Sequence, residues 1–141
     1  MLNLSKISVS VLLLGATVGL TACQQNETQS SANRTLSGQY VSEGYAQRAK
    51  GNDWVMVTVA EDSANSLSVK VTSREDIKKP TCSFSGEAVK TAENRYEVKD
   101  DGSVLVFSFT PDSVSISSTD PVALHYHCSG GASLADTYKK L

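Results

Sequence analysis

No segment of this 141-residue chain keeps a helical period long enough for an α-helix, and its longest apolar run is too short to span a bilayer. The nearest approach to a helix is REDIKK, a single turn that Pro80 would stop. The signatures of the common enzyme classes are missing too. There is no GxSxG nucleophile elbow, no glycine-rich phosphate loop and no HExxH pair, and the three cysteines include no CxxC spacing. A cationic excess is also absent. Thirteen Lys and Arg stand against fifteen Asp and Glu, a net charge of −2, which argues against nucleic acid as a partner. No internal repeat is evident. The expectation these absences leave is a small non-enzymatic domain with no cofactor.

What is present begins with MLNLSKISVSVLLLGATVGLTAC. One early cation, Lys6, precedes an apolar run from Ile7 to Leu20, the pattern of an export signal. The residues Leu20, Thr21, Ala22 and Cys23 resemble the bacterial lipobox, in which the signal is cut before the cysteine and that cysteine is acylated. The resemblance implies a signal peptide over residues 1–22 and lipidation at Cys23. It also implies a membrane reached through acyl chains, each buried methylene contributing about 0.8 kcal/mol. Gln24 stands where an aspartate would resemble the inner-membrane retention signal, so the implied location is the outer membrane of a Gram-negative envelope. The following QQNETQSSANRTLSG is polar and aperiodic. Residues 23–36 therefore read as a flexible tether before a domain over residues 37–141, long enough for one core. Loss of Lys6 with the signal leaves twelve cations against fifteen acids, so the side-chain charge becomes −3.

With Cys23 assigned to lipid, Cys82 and Cys128 remain, and export places them in an oxidising compartment. A Cys82–Cys128 disulfide is the expected pairing. It closes a loop of roughly 46 residues, for which the chain-entropy account gives about 4 kcal/mol.

Period-two alternation runs through the domain. Leu67, Val69 and Val71 alternate with Ser68, Lys70 and Thr72. Leu105, Phe107 and Phe109 share one face, as do Val114 and Ile116. Further strand candidates are GQYVSEGYA, DWVMVTVA, TCSFSGEAV, NRYEV and VALHYHC, separated by the turn sequences EDSANS, KDDGS and TPDS. In TPDS, Pro111 presets the first central turn position, which predicts a tight hairpin there. The prediction is an all-β fold, a small antiparallel barrel or sandwich of about eight strands with one disulfide, and the barrel is preferred because closure leaves no exposed edge. LADTY is a candidate last short strand, with Leu134 and Tyr138 facing inward.

On a VALHYHC strand, Cys128 would face inward with Leu124 and Tyr126, and His125 and His127 would share the solvent side. Two imidazoles so spaced suit zinc or copper, but no third ligand has a fixed place, Asp120 and Glu43 being only remote candidates, and the expectation is no metal. Cys128 beside His127 is no catalytic pair, because strand neighbours point to opposite faces. Trp54, Tyr40, Tyr45 and Tyr138 are a possible ligand strip but read better as interior filler.

The lipobox, the polar tether, the roughly eight-stranded domain, the single disulfide and the Ser/Gly loop together resemble the membrane-bound inhibitors of c-type lysozyme found in Gram-negative bacteria. In that family a loop resembling Ser-Gly-Ser-Gly-Ala enters the lysozyme cleft. Here SGGAS corresponds, with Ser129, Gly130 and Ala132 matching residue by residue, Gly131 in place of the second serine, and Ser133 displaced. The family's tyrosine followed by Thr-Lys-Gly is absent, and the loop follows the cysteine strand instead of preceding it. The resemblance implies a protein-binding loop over Ser129, Gly130, Gly131, Ala132 and Ser133, with lysozyme as partner. The alternative function is a structural, envelope-associated lipoprotein without lysozyme activity.

Overall fold

A computed structural model describes residues 35–141. Among them ten strands form: β1 (Gly38–Val41), β2 (Val55–Ser63), β3 (Ser66–Ser73), β4 (Thr81–Cys82), β5 (Phe84–Ala92), β6 (Arg95–Asp100), β7 (Ser103–Phe109), β8 (Ser113–Ser118), β9 (Cys128–Ser129) and β10 (Asp136–Lys140). Two 3-10 helices cover Glu43–Lys50 and Pro121–His125. Eight strands close into an antiparallel barrel in the order β1-β10-β8-β7-β6-β5-β3-β2, while β4 and β9 pair separately. The predicted barrel and the Cys82–Cys128 disulfide are both present.

Alternation builds the wall. Val57 and Val59, then Leu67, Val69 and Val71, then Leu105, Phe107 and Phe109 are buried, while intervening Ser68 and Lys70 are exposed. Turn chemistry sets the register. Asp101 and Gly102, at φ 44° and 86°, form a two-residue connection between paired Asp100 and Ser103, the left-handed geometry that matches strand twist. At TPDS the Thr110 N–H donates to the Ser113 carbonyl at 2.9 Å, and β7 pairs with β8 as expected.

In an up-and-down barrel the connections alternate between its two ends. One end carries the short β2–β3, β5–β6 and β7–β8 turns, together with the chain's entry into β1. The other carries residues 42–54, 74–83, 101–102 and 119–135, and the disulfide. Side chains fill the interior. Tyr40, Phe107, Leu105, Val114 and Tyr138 are all at most 1% exposed. Cys82, Ala123, Leu124 and Leu134 join the same core, so the 119–135 crossover plugs the disulfide end. Each end is also tied by a tyrosine hydroxyl bonded four residues back. The Tyr138 hydroxyl donates to the Leu134 carbonyl at 2.9 Å, and that of Tyr40 to the Leu36 carbonyl at 2.8 Å. Burial raises the pKa of both phenols, Tyr138 the more strongly, so both keep the proton they donate.

Three strand expectations are corrected. VALHYHC is not a strand: Asp120 accepts from the Val122 N–H at 3.0 Å, Pro121 occupies the first turn, and a 3-10 helix results. Tyr126 is consequently 55% exposed and not inward beside Cys128. GQYVSEGYA is a strand only over Gly38–Val41, because the chain then enters the Glu43–Lys50 helix, which left-handed Gly51 terminates. TCSFSGEAV divides between β4 and β5, and the eighth barrel strand is β10, in which Tyr138 does face inward.

Replacing Cys82 and Cys128 together by alanine should lower the unfolding free energy by about 4 kcal/mol, the loop-closure value for a 46-residue separation. Urea denaturation of the oxidised protein against the double variant measures the difference.

Candidate functional site

The disulfide end holds two loops packed as one unit. The first, Arg74–Pro80, connects β3 to β4. At its base the Ser73 hydroxyl accepts from the Cys82 N–H at 2.7 Å and lies 2.9 Å from the Cys82 carbonyl. The Arg74 guanidinium reaches sideways to the Gly51 carbonyl at 2.8 Å and the Asp53 carboxylate at 2.6 Å, which clamps the loop to the first 3-10 helix. Within the loop Asp76 accepts from the N–H of Lys78 through its side chain and of Lys79 through its carbonyl. The turn so closed raises Ile77, 73% exposed, at its tip.

The second loop carries Ser129, Gly130, Gly131, Ala132 and Ser133. Ser129 pairs with Thr81 beside the disulfide pair Cys82 and Cys128. Gly130, at φ 62°, presses onto the backbone of Lys79 and Pro80, where a Cβ would collide with the Lys79 carbonyl group. The Ala132 N–H returns to the Ser129 carbonyl at 3.1 Å, the Ser133 hydroxyl accepts from the Ala135 N–H, and the Leu134 N–H donates to the Leu124 carbonyl at 2.8 Å. Ser129, Gly130 and Gly131 are exposed, so this is a held turn with an open rim, lying low against the first loop.

The histidines do not share a face. His125 Nδ1 lies 2.8 Å from the Ala132 carbonyl and fixes the Ser/Gly loop from below. His127 Nε2 lies 2.7 Å from Asp100 Oδ2, with the Phe84 ring edge-on at 4.9 Å, and so joins the β6–β7 hairpin to the plug. The Asp120 carboxylate is occupied by the Val122 N–H and the Ser103 hydroxyl. Among the described residues no group of three or more His, Cys, Asp or Glu stands in metal-ligating positions. Cys128 is bonded to Cys82 and is no free nucleophile. Of the four aromatics, Tyr40 and Tyr138 are core, whereas Tyr45 and Trp54 meet edge to face at 5.5 Å, with the Arg48 guanidinium 3.9 Å over the Tyr45 ring. Sequence reasoning missed the Arg74 clamp and the His127–Asp100 pair. Both join residues far apart in the chain, and the one local sign was Asp76 placed to close a turn before Pro80.

At the opposite end the chain enters through a clip. Glu61 accepts from the Thr35 hydroxyl at 2.6 Å and the Leu36 N–H at 3.2 Å, and Lys140 Nζ donates to the Thr35 carbonyl at 2.8 Å. The Thr35 hydrogen bond, followed by that from Leu36, holds the Glu61 carboxyl below the usual glutamate range. Cys23, the signal peptide and most of the tether lie outside the described residues. No family model, curated protein or solved structure matches the chain.

Gly130→Ala should destabilise more than Gly131→Ala. Both pay roughly 1–2 kcal/mol for a left-handed alanine, but only Gly130 has backbone in the way, whereas nothing lies within 4 Å of a Cβ at Gly131. Parallel denaturant titrations read the difference, and equal costs refute the packing of the two loops.

Because the folded-state pKa of Glu61 is lowered, the clip contributes above the unfolded-state value and is lost as pH falls through the folded one. The protection factor of the Leu36 amide, its exchange rate set against the intrinsic rate at each pH, should therefore fall on acidification below the ordinary glutamate range, and Glu61→Gln should abolish that dependence.

Proposed function

We propose that the chain is a lipid-anchored protein of the Gram-negative outer membrane that binds a protein partner with the disulfide end of its barrel. The first partner to test is c-type lysozyme, inhibited through the Ser129–Ser133 loop. One observation carries the reading: the three long connections gather at the end opposite the chain's entry. Anchoring at Cys23 would then leave them free to meet a partner. A filled interior supports recognition by surface instead of by an enclosed small-molecule site. The loop's restraints support it as well, since a segment already ordered loses little freedom on binding.

Charge adds a long-range component. A side-chain balance of −3 after signal removal favours encounter with a cationic protein such as lysozyme, and salt weakens that attraction. The low profile of the loop sets a geometric condition. A cleft receiving the Gly130–Gly131 rim must also accommodate Lys79 and Pro80, on which Gly130 rests.

Purified lipid-free protein should inhibit c-type lysozyme and bind it in calorimetry at micromolar concentration, and bulky replacements at Ser129 and Ser133 should weaken both. Absence of inhibition and of binding eliminates lysozyme as the partner. Cys23→Ala should move the protein from the membrane fraction to the soluble fraction of the envelope, and retention in the membrane refutes the lipid anchor.

A further inference from the structure

We infer that the Arg74–Pro80 loop is the principal recognition element of the disulfide end, and that the protein surface it engages offers an apolar pocket edged by carboxylates. This rests on the proposal that this end binds a protein. It differs from that proposal in placing the main contact on Ile77, Lys78 and Lys79 instead of on the Ser/Gly rim.

The loop is over-restrained for a mere connection. Its stem is closed by Ser73 and Cys82, its flank by Arg74 on Gly51 and Asp53, its tip by Asp76, and its floor by Gly130. What these restraints hold out is a large aliphatic side chain, Ile77, 73% exposed. Burial of an isoleucine side chain is among the larger apolar contributions one residue can make, and the fold leaves it unused. A partner's pocket collects it without first ordering the loop.

The adjoining charges specify the rim of that pocket. Lys78 and Lys79 follow Ile77 directly, both exposed, and among the described residues neither has a carboxylate within ion-pair distance. Arg74 is already neutralised by Asp53. On the other flank stand Glu75 and Asp76, both exposed, the latter accepting from the Lys78 backbone N–H. The tip therefore carries cations on one side only. That arrangement suits a structured protein surface, and an anionic bilayer would repel the acidic flank. Val122 and Tyr126, 58% and 55% exposed on the plug at the same end, supply further apolar area. The shallow groove of about 380 Å³ on the outer wall, beside Lys70 and Ser85, has no comparable display of side chains.

The test uses the lipid-free mature chain, ¹⁵N-labelled, titrated with a synthetic peptide of alternating Glu and Leu residues, with c-type lysozyme, and with vesicles containing anionic lipid. The peptide should shift the amides of Ile77, Lys78 and Lys79, more weakly at high salt. Ile77→Ala and the Lys78→Glu, Lys79→Glu pair should each reduce affinity at least about tenfold while the amide spectrum of the barrel stays unchanged. Peptide binding at this loop with no response to lysozyme supports the inference and removes lysozyme as partner. Peptide shifts that are absent, that fall only on Ser129–Gly131, or that survive both substitutions overturn it, as does stronger binding to the vesicles than to the peptide.

Discussion

Closure of this barrel depends on bringing β10 into the gap between β8 and β1, and the Cys82–Cys128 bond holds the crossover that does so. The gap is the weakest part of the wall. Strands β1 and β10 share only the pairs Tyr40 with Lys140 and Val41 with Lys139, whereas β2 and β3 pair from Val55 to Ser63. So short a ladder cannot hold two strands in register by itself, and the contacts around it supply the constraint. Tyr138 on β10 reaches back to Leu134, Tyr40 on β1 reaches back to Leu36, and both rings lie in the core. The disulfide fixes the middle of the crossover to β4, so Leu124 and Leu134 meet the barrel interior at a defined depth. The crossover that closes the wall is thus also the plug that fills its end.

Strands that alternate between core and water were legible because burial itself imposes the period, as in Leu67–Val71, where exposed Ser68 and Lys70 separate buried Leu67, Val69 and Val71. VALHYHC misled for the same reason. Its alternation is coincidental, since the helix buries the neighbours Ala123 and Leu124, which no strand face would do. The better signal was Asp120 followed by Pro121, a cap and a first-turn residue in order. The Glu43–Lys50 helix had no signal of that kind, since it buries none of its residues and leaves no apolar stripe to read. Strand β10 was faint because Tyr138 is its one buried residue.

The site divides in the same way. Cys82 and Cys128 suggest their bond from the sequence, because the pairing has no competitor once Cys23 is set aside. The shape of the Ser/Gly loop was not legible. Whether Ser129–Ser133 stands out or lies flat is decided by Gly130 meeting Lys79 and Pro80, a contact between segments some fifty residues apart in sequence. The partners of His125 and His127 are likewise tertiary, and they convert an apparent ligand pair into two separate struts.

Arg74 shows what the arrangement of this end costs. Its side chain is 14% exposed, its Nε is buried with no hydrogen-bond partner among the described residues, and its carboxylate partner Asp53 is 53% exposed. An unmade hydrogen bond of that kind costs about 1–3 kcal/mol, and a half-exposed ion pair returns little of it. An apolar side chain at this position would avoid the unmade bond, but it could not hold the Gly51 carbonyl and Asp53 against the base of the loop at once. The same end leaves Ile77 in water and confines Gly130 to a left-handed conformation against foreign backbone. Each of these departures falls on one loop unit, whereas the opposite end is closed by short turns and a clip of ordinary hydrogen bonds. Stability is thus given up at one end, in features that all fix the shape and display of the same loops, and such a local concession is what the proposed binding role of that end requires.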